Sequence, residues 1–460
     1  MHQVFFLPGE MPTVPVTFVT AATWSDLRSA LDPLARAFAE AAAFEPKPGR
    51  YLLVPGSDGA LARVLFALEG VDDPSKDLFR PGALPGLLPS GAYRFENAPH
   101  DARLGTLAFA LGSYRFTRYR KAEDKGARLE LPGGIDGDEI TAIAEGVCLA
   151  RDLINTPAND MGPAEIEEAA RTLADRHGAT VKLIVGEDLL RENFPLVHAV
   201  GRAAERAPRL IDITWGEPSY PTVALIGKGV CFDTGGLDIK SEGGMVNMKK
   251  DMGGAASVIA LAHMIMARRL RLKLRVLIPA VENAISGAAF RPRDVYRSRK
   301  GITVEIGNTD AEGRLILADA ITLADEQRPD LIADMATLTG AARVALGTEV
   351  VPFYTDDDGL AEELARHAAA ESDPLWRMPL HRPYDQLLES KVADINNVAS
   401  GGFAGSIVAA MFLRRFVSSA KAWLHFDIYA WNQTTRPGRP EGAECQAARA
   451  LYALLCARYG

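Results

Sequence analysis

Beyond residue 151 the chain alternates short apolar runs with helical stretches, and this alternation limits the fold more than any other feature of the sequence. Helical patterns lie between the apolar runs at 254–269, 318–327 and 360–372. The runs that predict strands are 181–185, 210–215, 223–226, 274–278, 331–335 and 423–428. Strands that are apolar throughout are buried on both faces, which is typical of a mainly parallel sheet covered by helices. Functional sites of such sheets form in loops beyond the carboxyl ends of the strands.

The chain has 460 residues, which is too long for one ordinary hydrophobic core. Such cores stop growing at about 250 to 300 residues. Short β-like runs and Ala-rich helical stretches predict a small N-terminal α/β domain over 1–125. The charged, Gly-rich segment 117–137 and the helical pattern after it predict a linker and connecting helix over 126–155. A larger C-terminal α/β domain then covers 156–460.

The composition excludes several classes of function. A net charge of −8 disfavours a general nucleic-acid surface. The four cysteines form no CxxC pair and no metal-finger spacing, which favours a reducing cytoplasm over a disulfide framework. No apolar run reaches the length of a membrane span, about 20 residues, and the N-terminal residues lack the pattern of a signal peptide. We therefore expect a soluble cytoplasmic protein without membrane or nucleic-acid partners.

A Gly-rich segment with charged side chains follows the predicted strand 223–226. It has the sequence GKGVCFDTGGLDIK over Gly227–Lys240 and continues as SEGGMVNMKKDMGGAA over Ser241–Ala256. Glycines allow a backbone to approach a ligand closely and to adopt positive φ, as a loop around ions requires. A nucleotide-binding loop is the alternative. It is disfavoured because GxxxxGK[ST] is absent and acidic side chains stand where a phosphate would bind.

A second acidic segment, NTDAEGR at Asn308–Arg314, opens a predicted helix. Asp310 and Glu312 are two residues apart, so an extended or turning segment can direct both carboxylates at one point. Together with Asp233 and Asp251 they are enough to hold two divalent ions about 3.5 to 4 Å apart. Acids in loops are more often solvated or cap a helix. The residues alone therefore leave a two-metal site and ordinary loop acids as open alternatives.

These segments, in this order, closely resemble the leucyl aminopeptidases, the cytosolic di-metal enzymes of the M17 peptidase family. The resemblance runs from about residue 144 to about residue 455 and includes ARDLINTPAND at 150–160 and DMATLTGA at 334–341. It implies a metal-dependent hydrolase that removes the N-terminal residue of peptides with a free N-terminus. It also implies the family's homohexamer, a dimer of trimers with the catalytic domains at the centre.

The resemblance assigns five metal ligands. It implies that Asp233 and Glu312 bridge two ions, that Asp251 and the Lys228 amine complete one ion, and that Asp310 completes the other. To ligate, the Lys228 amine must be neutral, so its pKa must fall well below the usual value of about 10.4. Two nearby cations would lower it in this way. The alternative is that Lys228 only pairs with these acids.

The resemblance also implies the catalytic groups. A hydroxide that bridges the metals would attack the scissile carbonyl, and Lys240 would stabilise the developing oxyanion. Arg314 would hold a bicarbonate ion that shuttles the proton, a role that suits the planar fork of a guanidinium. His263 and His425 fall in a predicted helix and a predicted strand, where structural histidines are commoner than catalysts. Zinc or manganese is the expected metal, and cobalt and magnesium are also compatible with these ligands.

The resemblance places Met248, Thr337 and Gly340 in the pocket for the N-terminal side chain. Met and Gly would make this pocket an adaptable apolar cavity. Tyr429 stands where the family commonly carries a small residue, so its ring would narrow the pocket and let alanine or methionine compete with leucine. The alternative is that Tyr429 points into the sheet core or toward a neighbouring subunit.

Two other functions are alternatives to the aminopeptidase. One is a di-metal hydrolase of another bond, such as a phosphoester. The other is an architectural DNA-binding role, because some members of the family bind DNA. The acidic net charge and the complete set of ligands favour the peptidase over both.

Overall fold

The computed structural model of the chain describes residues 2–121 and 126–460. The chain divides into two compact units, Met1–Cys148 with Thr434–Glu441, and Leu149–Gln433 with Gly442–Gly460. The domain bounds at 125 and 156 stay predictions, and residues 122–125, the end of the predicted N-terminal domain, lie outside the described residues. Among the described residues, no helix combines the length and the apolarity that crossing a membrane requires.

The first unit is a small α/β unit. Its elements are β1 (Phe5–Phe6), β2 (Val14–Val19), α1 (Trp24–Ala30), α2 (Pro33–Ala41), β3 (Tyr51–Pro55), β4 (Leu61–Ala67), α3 (Leu84–Leu87), β5 (Gly91–Phe95), α4 (Ala102–Gly112), β6 (Ala127–Glu130) and α5 (Gly137–Asn155), which continues into the second unit. In the described part of the chain, the strands form a six-stranded sheet in the order β1-β6-β5-β2-β4-β3. The β3–β4 pair is antiparallel and the other pairs are parallel.

Strand β6 lies in the segment that the sequence predicts to be a linker. It pairs with β1 and β5, and Leu129 at its centre is fully buried. The strand has only four residues, and charged side chains flank Leu129 on both sides. So short a run gives little apolar periodicity, which explains why the sequence predicts a linker there. The helical pattern from Asp138 corresponds to α5.

The second unit is larger. Its elements are α6 (Pro163–His177), β7 (Thr180–Val185), α7 (Asp188–Arg191), α8 (Pro195–Gly201), β8 (Arg209–Trp215), β9 (Thr222–Gly227), β10 (Gly229–Asp233), α9 (Glu242–Met245), α10 (Gly253–Ala267), β11 (Lys273–Asn283), β12 (Val295–Arg297), β13 (Thr303–Glu305), α11 (Glu312–Asp325), β14 (Leu331–Ala336), α12 (Gly340–Leu346), β15 (Val351–Tyr354), α13 (Asp358–Ala370), β16 (Leu375–Arg377), β17 (Ile395–Asn396), α14 (Gly405–Arg414), β18 (Trp423–Asp427), β19 (Trp431–Asn432), β20 (Gly442–Ala443) and α15 (Ala448–Tyr459).

The main sheet of this unit confirms the predicted fold class. Over the continuously described residues 149–460 it has nine strands in the order β16-β15-β18-β14-β9-β11-β8-β7, with β10 also paired to β11. The central strands β18, β14, β9 and β11 run parallel, whereas β8 pairs antiparallel to β11. Helix α10 packs against β9 and β14 and is buried from Gly253 through Met266. A helix that is apolar on all sides belongs in the interior, which is where α10 lies.

The parallel strands bring charged residues to one edge of the sheet. Strand β9 ends immediately before Lys228, and β10 ends at Asp233. Strand β14 ends immediately before Thr337, and α11 begins at Glu312. Because the carboxyl ends of parallel strands share an edge, these residues meet in the loops above the sheet, as the fold class predicts.

Asp319 in α11 ties three segments of the second unit together. Its carboxylate is fully buried, and it accepts backbone N–H bonds from Leu196 at 2.8 Å and from Arg299 at 2.8 Å. The amide of Val197 donates to the same carboxylate at 3.4 Å. These bonds hold the start of α8 and the turn after β12 against α11.

We expect Asp319→Ala to lower the free energy of unfolding by about 2 to 4 kcal/mol, because it leaves buried N–H groups without acceptors. Urea unfolding followed by circular dichroism measures the loss. Glu326→Ala is the control, since this exposed carboxylate forms an ion pair with Arg299 and its removal should cost less than about 1 kcal/mol. Equal losses in the two variants would contradict the anchoring role of Asp319.

Candidate metal centre

Lys228 occupies the centre of the charged cluster. Its Nζ lies 2.8 Å from Asp251 Oδ2 and 2.8 Å from Glu312 Oε1, and it donates to Thr337 O at 2.8 Å. The residue is 3% exposed. These ion pairs are the arrangement that the alternative interpretation of the sequence predicts for Lys228. Its role as a metal ligand therefore stays a prediction.

Gly313 makes room for the Lys228 side chain. A Cβ atom at Gly313 would lie 2.6 Å from Lys228 Cε and 2.8 Å from its Nζ, closer than Cβ contacts occur. The amine cannot move aside easily because Asp251, Glu312 and Thr337 O hold it. The glycine after Glu312 is thus required for the first turn of α11 to pass over this lysine.

Asp233 and Lys240 form the second charged contact of the cluster. Asp233 Oδ1 accepts from Gly235 N and from Asn283 Nδ2, each at 2.8 Å. The other carboxylate oxygen, Oδ2, lies 2.9 Å from Lys240 Nζ. Lys240 Nζ also contacts Asp310 Oδ1. One lysine therefore lies between the carboxylates of the two acidic segments.

The loop that carries Asp310 and Glu312 is fixed by Thr309, which is fully buried. Its hydroxyl donates to Gly235 O, and its amide donates to Asp238 Oδ2 at 2.8 Å. The predicted convergence of the acids is present: carboxylate oxygens of Asp233, Asp310 and Glu312 all lie within 4.8 Å of one another.

The electrostatics of the cluster show an excess of buried negative charge. Burial and the nearby Asp233 raise the pKa of Glu312 to about 8, against the opposing effect of Lys228. Burial and Asp233 likewise raise the pKa of Asp310 to about 6, although Lys240 opposes the shift. Burial alone would lower the pKa of the Lys228 amine, but the surrounding carboxylates hold it above its usual value.

The cluster fits divalent cations. Within the described part of the chain, the buried Glu312 Oε2 has no hydrogen-bond partner. Buried polar atoms without partners are rare, and a bound ion or water is one way of satisfying them. Hard divalent ions prefer carboxylate oxygens. Such ions would supply the positive charge that Lys228 and Lys240 provide only in part. The residues present therefore suit a metal centre.

Arg314 extends the site from α11. Its guanidinium is largely buried, and Nη1 donates to Asn397 O at 2.7 Å. Burial lowers the pKa of Arg314 to about 10 against the opposing charges of Glu312 and Asp427, so the group is a cation at neutral pH. The fully buried Asn397 also binds the acidic loop, because its Oδ1 accepts from Gly307 N at 2.7 Å and its Nδ2 donates to Asn308 O at 2.8 Å. The sequence did not predict Asn397 as part of the site.

A cavity of about 520 Å³ opens onto the cluster. Its lining brings together the predicted Lys228, Asp233, Lys240, Asp251, Asp310, Arg314, Met248, Thr337, Gly340 and Tyr429. Glu312 lies beneath this lining, 1% exposed. Lys250 and Arg343 also line the cavity, and the sequence did not predict them. Neither residue carries a metal-ligand signature in the sequence, which explains the omission.

The two histidines considered from the sequence lie away from the cavity lining. His425 is fully buried in β18, where its Nδ1 lies 2.5 Å from Asp334 Oδ1 and its ring stacks on Trp423. His263 is buried in α10, and its Nδ1 lies 3.1 Å from Nε2 of His177. Both therefore occupy structural positions.

Parallel strands that end at a cavity of carboxylates and lysines are an arrangement that suits a metal-dependent hydrolase. Residues 148–452 match the family described as the cytosol aminopeptidase family, catalytic domain, and residues 14–132 match the M17 aminopeptidase N-terminal domain. The chain belongs to the cytosol aminopeptidase family, M17, and is a leucyl-aminopeptidase-like hydrolase.

Individual relatives agree with this family. A probable cytosol aminopeptidase of Roseiflexus castenholzii is 40% identical over 363 residues, covering 75% of this chain and 74% of that protein. The crystal structure of the cytosol aminopeptidase from Coxiella burnetii has a TM-score of 0.94 and 44% identity, and the match covers 99% of this chain and 100% of that one. The bottromycin maturation enzyme BotP in complex with Mn has a TM-score of 0.88 and 32% identity, covering 97% of this chain and 100% of that one.

Gly313→Ala should displace the Lys228 amine and reduce turnover of an aminoacyl anilide by about 100-fold, since small misplacements at a reacting centre have effects of this size. The far-ultraviolet circular dichroism should stay unchanged. Gly287→Ala is the matched control, because a Cβ there would meet nothing within 4 Å. Wild-type turnover in Gly313→Ala would show that the cluster tolerates a shifted lysine.

Proposed function

We propose that the cavity hydrolyses the N-terminal peptide bond of peptides, with two divalent ions held by Lys228, Asp233, Asp251, Asp310 and Glu312. The observation that carries this proposal is the convergence of buried carboxylates at one cavity, with Glu312 Oε2 unpartnered within the described residues. The family supports the peptidase reaction, and the donor set supports the ions. The proposed catalytic region is the predicted domain 156–460; within the predicted connection 126–155, β6 belongs to the sheet of the first unit and α5 leads into the second.

The bound ions would lower the pKa of water and polarise the scissile carbonyl. Asp233 and Glu312 each offer two carboxylate oxygens, so each residue can contact both ions. Asp251 and Asp310 add one carboxylate to each side of the centre, and Lys228 adds a neutral amine. Neutralisation of the acids by the ions would remove the attraction that now holds the pKa of Lys228 above its usual value.

Lys240 is the proposed electrophile. It lines the cavity and carries a flexible ammonium group, which can stabilise negative charge on the carbonyl oxygen in the transition state. In this function the Lys240 ammonium would leave Asp233 and Asp310 and contact the substrate carbonyl oxygen instead. Arg314 is the proposed holder of bicarbonate, because its buried fork is charged at neutral pH and suits a planar anion.

Zinc and manganese are the proposed metals, with cobalt and magnesium also compatible. The structure of BotP in complex with Mn supports manganese. The names of the curated relatives support a cytosolic location.

We further propose a homohexamer. Sedimentation velocity checks this assembly, and a monomer at working concentration would contradict it.

The proposed function is tested by release of p-nitroaniline from a leucyl anilide with added manganese or zinc. We expect turnover with metal and none after chelation. Glu312→Gln and Asp233→Asn, which remove charge at constant size, should lower both bound metal, measured by mass spectrometry, and turnover. Asp188→Ala, an exposed acid of the same unit, is the control. Turnover of a phosphate ester but no anilide would overturn the assignment.

Lys240→Ala should separate rate from metal binding. Removal of one oxyanion donor typically reduces turnover by about 100 to 1,000-fold. Metal content should stay at the wild-type level, because Lys240 is proposed to contact the substrate and not the ions. Loss of metal from Lys240→Ala would make this lysine a ligand instead.

A further inference from the structure

Lys250 is a buried cation at the wall of the cavity that the proposed mechanism does not use. It follows Met248 and Lys249 in a 3₁₀ segment, is 5% exposed and lines the cavity. Its Nζ lies 4.5 Å from the ring centroid of Tyr429. Within the described residues, its amine has no hydrogen bond to a protein atom and no ion pair. A buried ammonium without a partner is costly unless a ligand supplies one.

Arg343 places a second cation at the same tyrosine. It projects from α12, and its Cζ lies 5.7 Å from the Tyr429 ring centroid. Its Nη2 lies 3.9 Å from the point where a Cβ of Gly340 would stand, so it borders the proposed side-chain pocket. Its guanidinium, too, forms no ion pair with any residue that the structure describes. The aromatic ring stabilises both cations through its π face.

Asp427 and Asp251 are the acids whose charge acts on Lys250, and both carboxylates already have other hydrogen-bond partners. Asp427 accepts from Leu338 N and Thr339 N, each at 3.0 Å, and its other oxygen accepts from the Thr339 and Ser406 hydroxyls. Asp251 is held by Lys228 and by the Thr337 hydroxyl. The two cations at Tyr429 therefore line the cavity without a carboxylate partner among the described residues.

We propose that Lys250 and Arg343, set around Tyr429, bind the side-chain carboxylate of an N-terminal aspartate or glutamate. The inference rests on the proposed aminopeptidase function, which directs that side chain to the pocket of Met248 and Gly340. A carboxylate there would receive charge-assisted hydrogen bonds from an ammonium and from a guanidinium fork. Tyr429 positions both cations, and Gln433 holds its hydroxyl by donating from Nε2 at 2.8 Å.

The first test compares specificity constants for glutamyl and glutaminyl p-nitroanilides, which differ in charge and hardly in size. We expect the metal-loaded protein to prefer the glutamyl substrate by about tenfold or more, the usual worth of a hydrogen bond to a charged group. Lys250→Gln and Arg343→Gln should each reduce this ratio by about tenfold, and Arg343→Lys should retain most of it. Arg343 is exposed, so its variants should fold even if Lys250→Gln does not.

Lys249→Gln is the matched control. Lys249 is the neighbouring lysine, but its amine donates to Asn155 O at 2.8 Å and it does not line the cavity. Its variant should keep the glutamyl preference. A fall in the ratio as large as that of Lys250→Gln would show a general charge effect and would overturn the subsite.

Calorimetry with free glutamate and glutamine tests the subsite without turnover. Manganese-loaded protein should bind glutamate about tenfold more tightly, and Arg343→Gln should abolish the difference. Hydrolysis of leucyl anilide with no preference in either assay would overturn this inference and leave the proposed function standing. Preferential glutamate binding without anilide hydrolysis would overturn the proposed function and leave the carboxylate subsite standing. If the variants instead impair leucyl-glycine but not leucyl-glycinamide, the cations bind the peptide's terminal carboxylate and the inference is wrong.

Discussion

The candidate site of the second unit depends on carboxylates that are held close together at one edge of the main sheet, although their charges repel one another. Asp233 and Glu312 stand at the end of β10 and the start of α11, and Asp251 stands just before α10. Two unit charges at 4 Å repel by about 1 kcal/mol in water and about 4 kcal/mol near a protein surface. Lys228 and Lys240 each contact two of the acids and offset part of this repulsion. The raised pKa of Glu312 reflects its burial and the repulsion that remains, and a divalent cation is the group that would compensate both.

The surrounding packing prevents the cluster from relaxing. The backbone of Lys228 donates to Met335 O at 3.0 Å and accepts from Ala255 N at 2.9 Å, so β14 and α10 both hold it. A Cβ at Gly254 would lie 2.1 Å from Met335 O, so only glycine lets α10 approach the strand this closely. A rigid scaffold of this kind fixes charges in an unfavourable arrangement that a mobile loop would avoid. The apolar interior thus supplies the constraint that the proposed chemistry uses.

Most strands of the main sheet could be predicted from the sequence because they contain apolar runs, although β15 and β16 were not predicted. Strand β9 is buried throughout its last five residues, and its predicted range 223–226 differs from Thr222–Gly227 by one residue at each end. Strand β10 was not predicted, because it starts two residues after β9 ends and has the sequence GVCFD. Such a short run next to Gly-rich motifs cannot be distinguished from loop by periodicity. Its position becomes clear only from its pairing with β11.

The residues of the site also divide into those that a short stretch of sequence reveals and those that only the fold brings together. Asp310 and Glu312 lie two residues apart at the start of α11, so local geometry allowed the expectation that their carboxylates can converge. Lys250 and Arg343 lie far apart in sequence, and only a 3₁₀ turn and helix α12 bring both to Tyr429. No periodic pattern links such residues. An apolar pocket was therefore predicted from Met248 and Gly340, and the structure adds two cations to its wall.

The distribution of charge around the cavity has a consequence for how a substrate binds. The acids lie with Lys228 and Lys240, whereas Lys250 and Arg343 lie with Tyr429, where the nearby acid Asp427 is already bound to backbone and hydroxyl groups. An N-terminal glutamate carries an amine and a side-chain carboxylate of opposite charge. With its amine at the proposed ions, such a substrate would direct its carboxylate to Lys250 and Arg343. The reversed orientation would place the amine against these two cations, where the charges are alike. Electrostatic complementarity of this kind selects orientation by penalising the wrong one. The cluster proposed to hold the metals and the cations at Tyr429 would then act jointly. The first would determine which end of the peptide enters, and the second would determine which N-terminal residue is preferred.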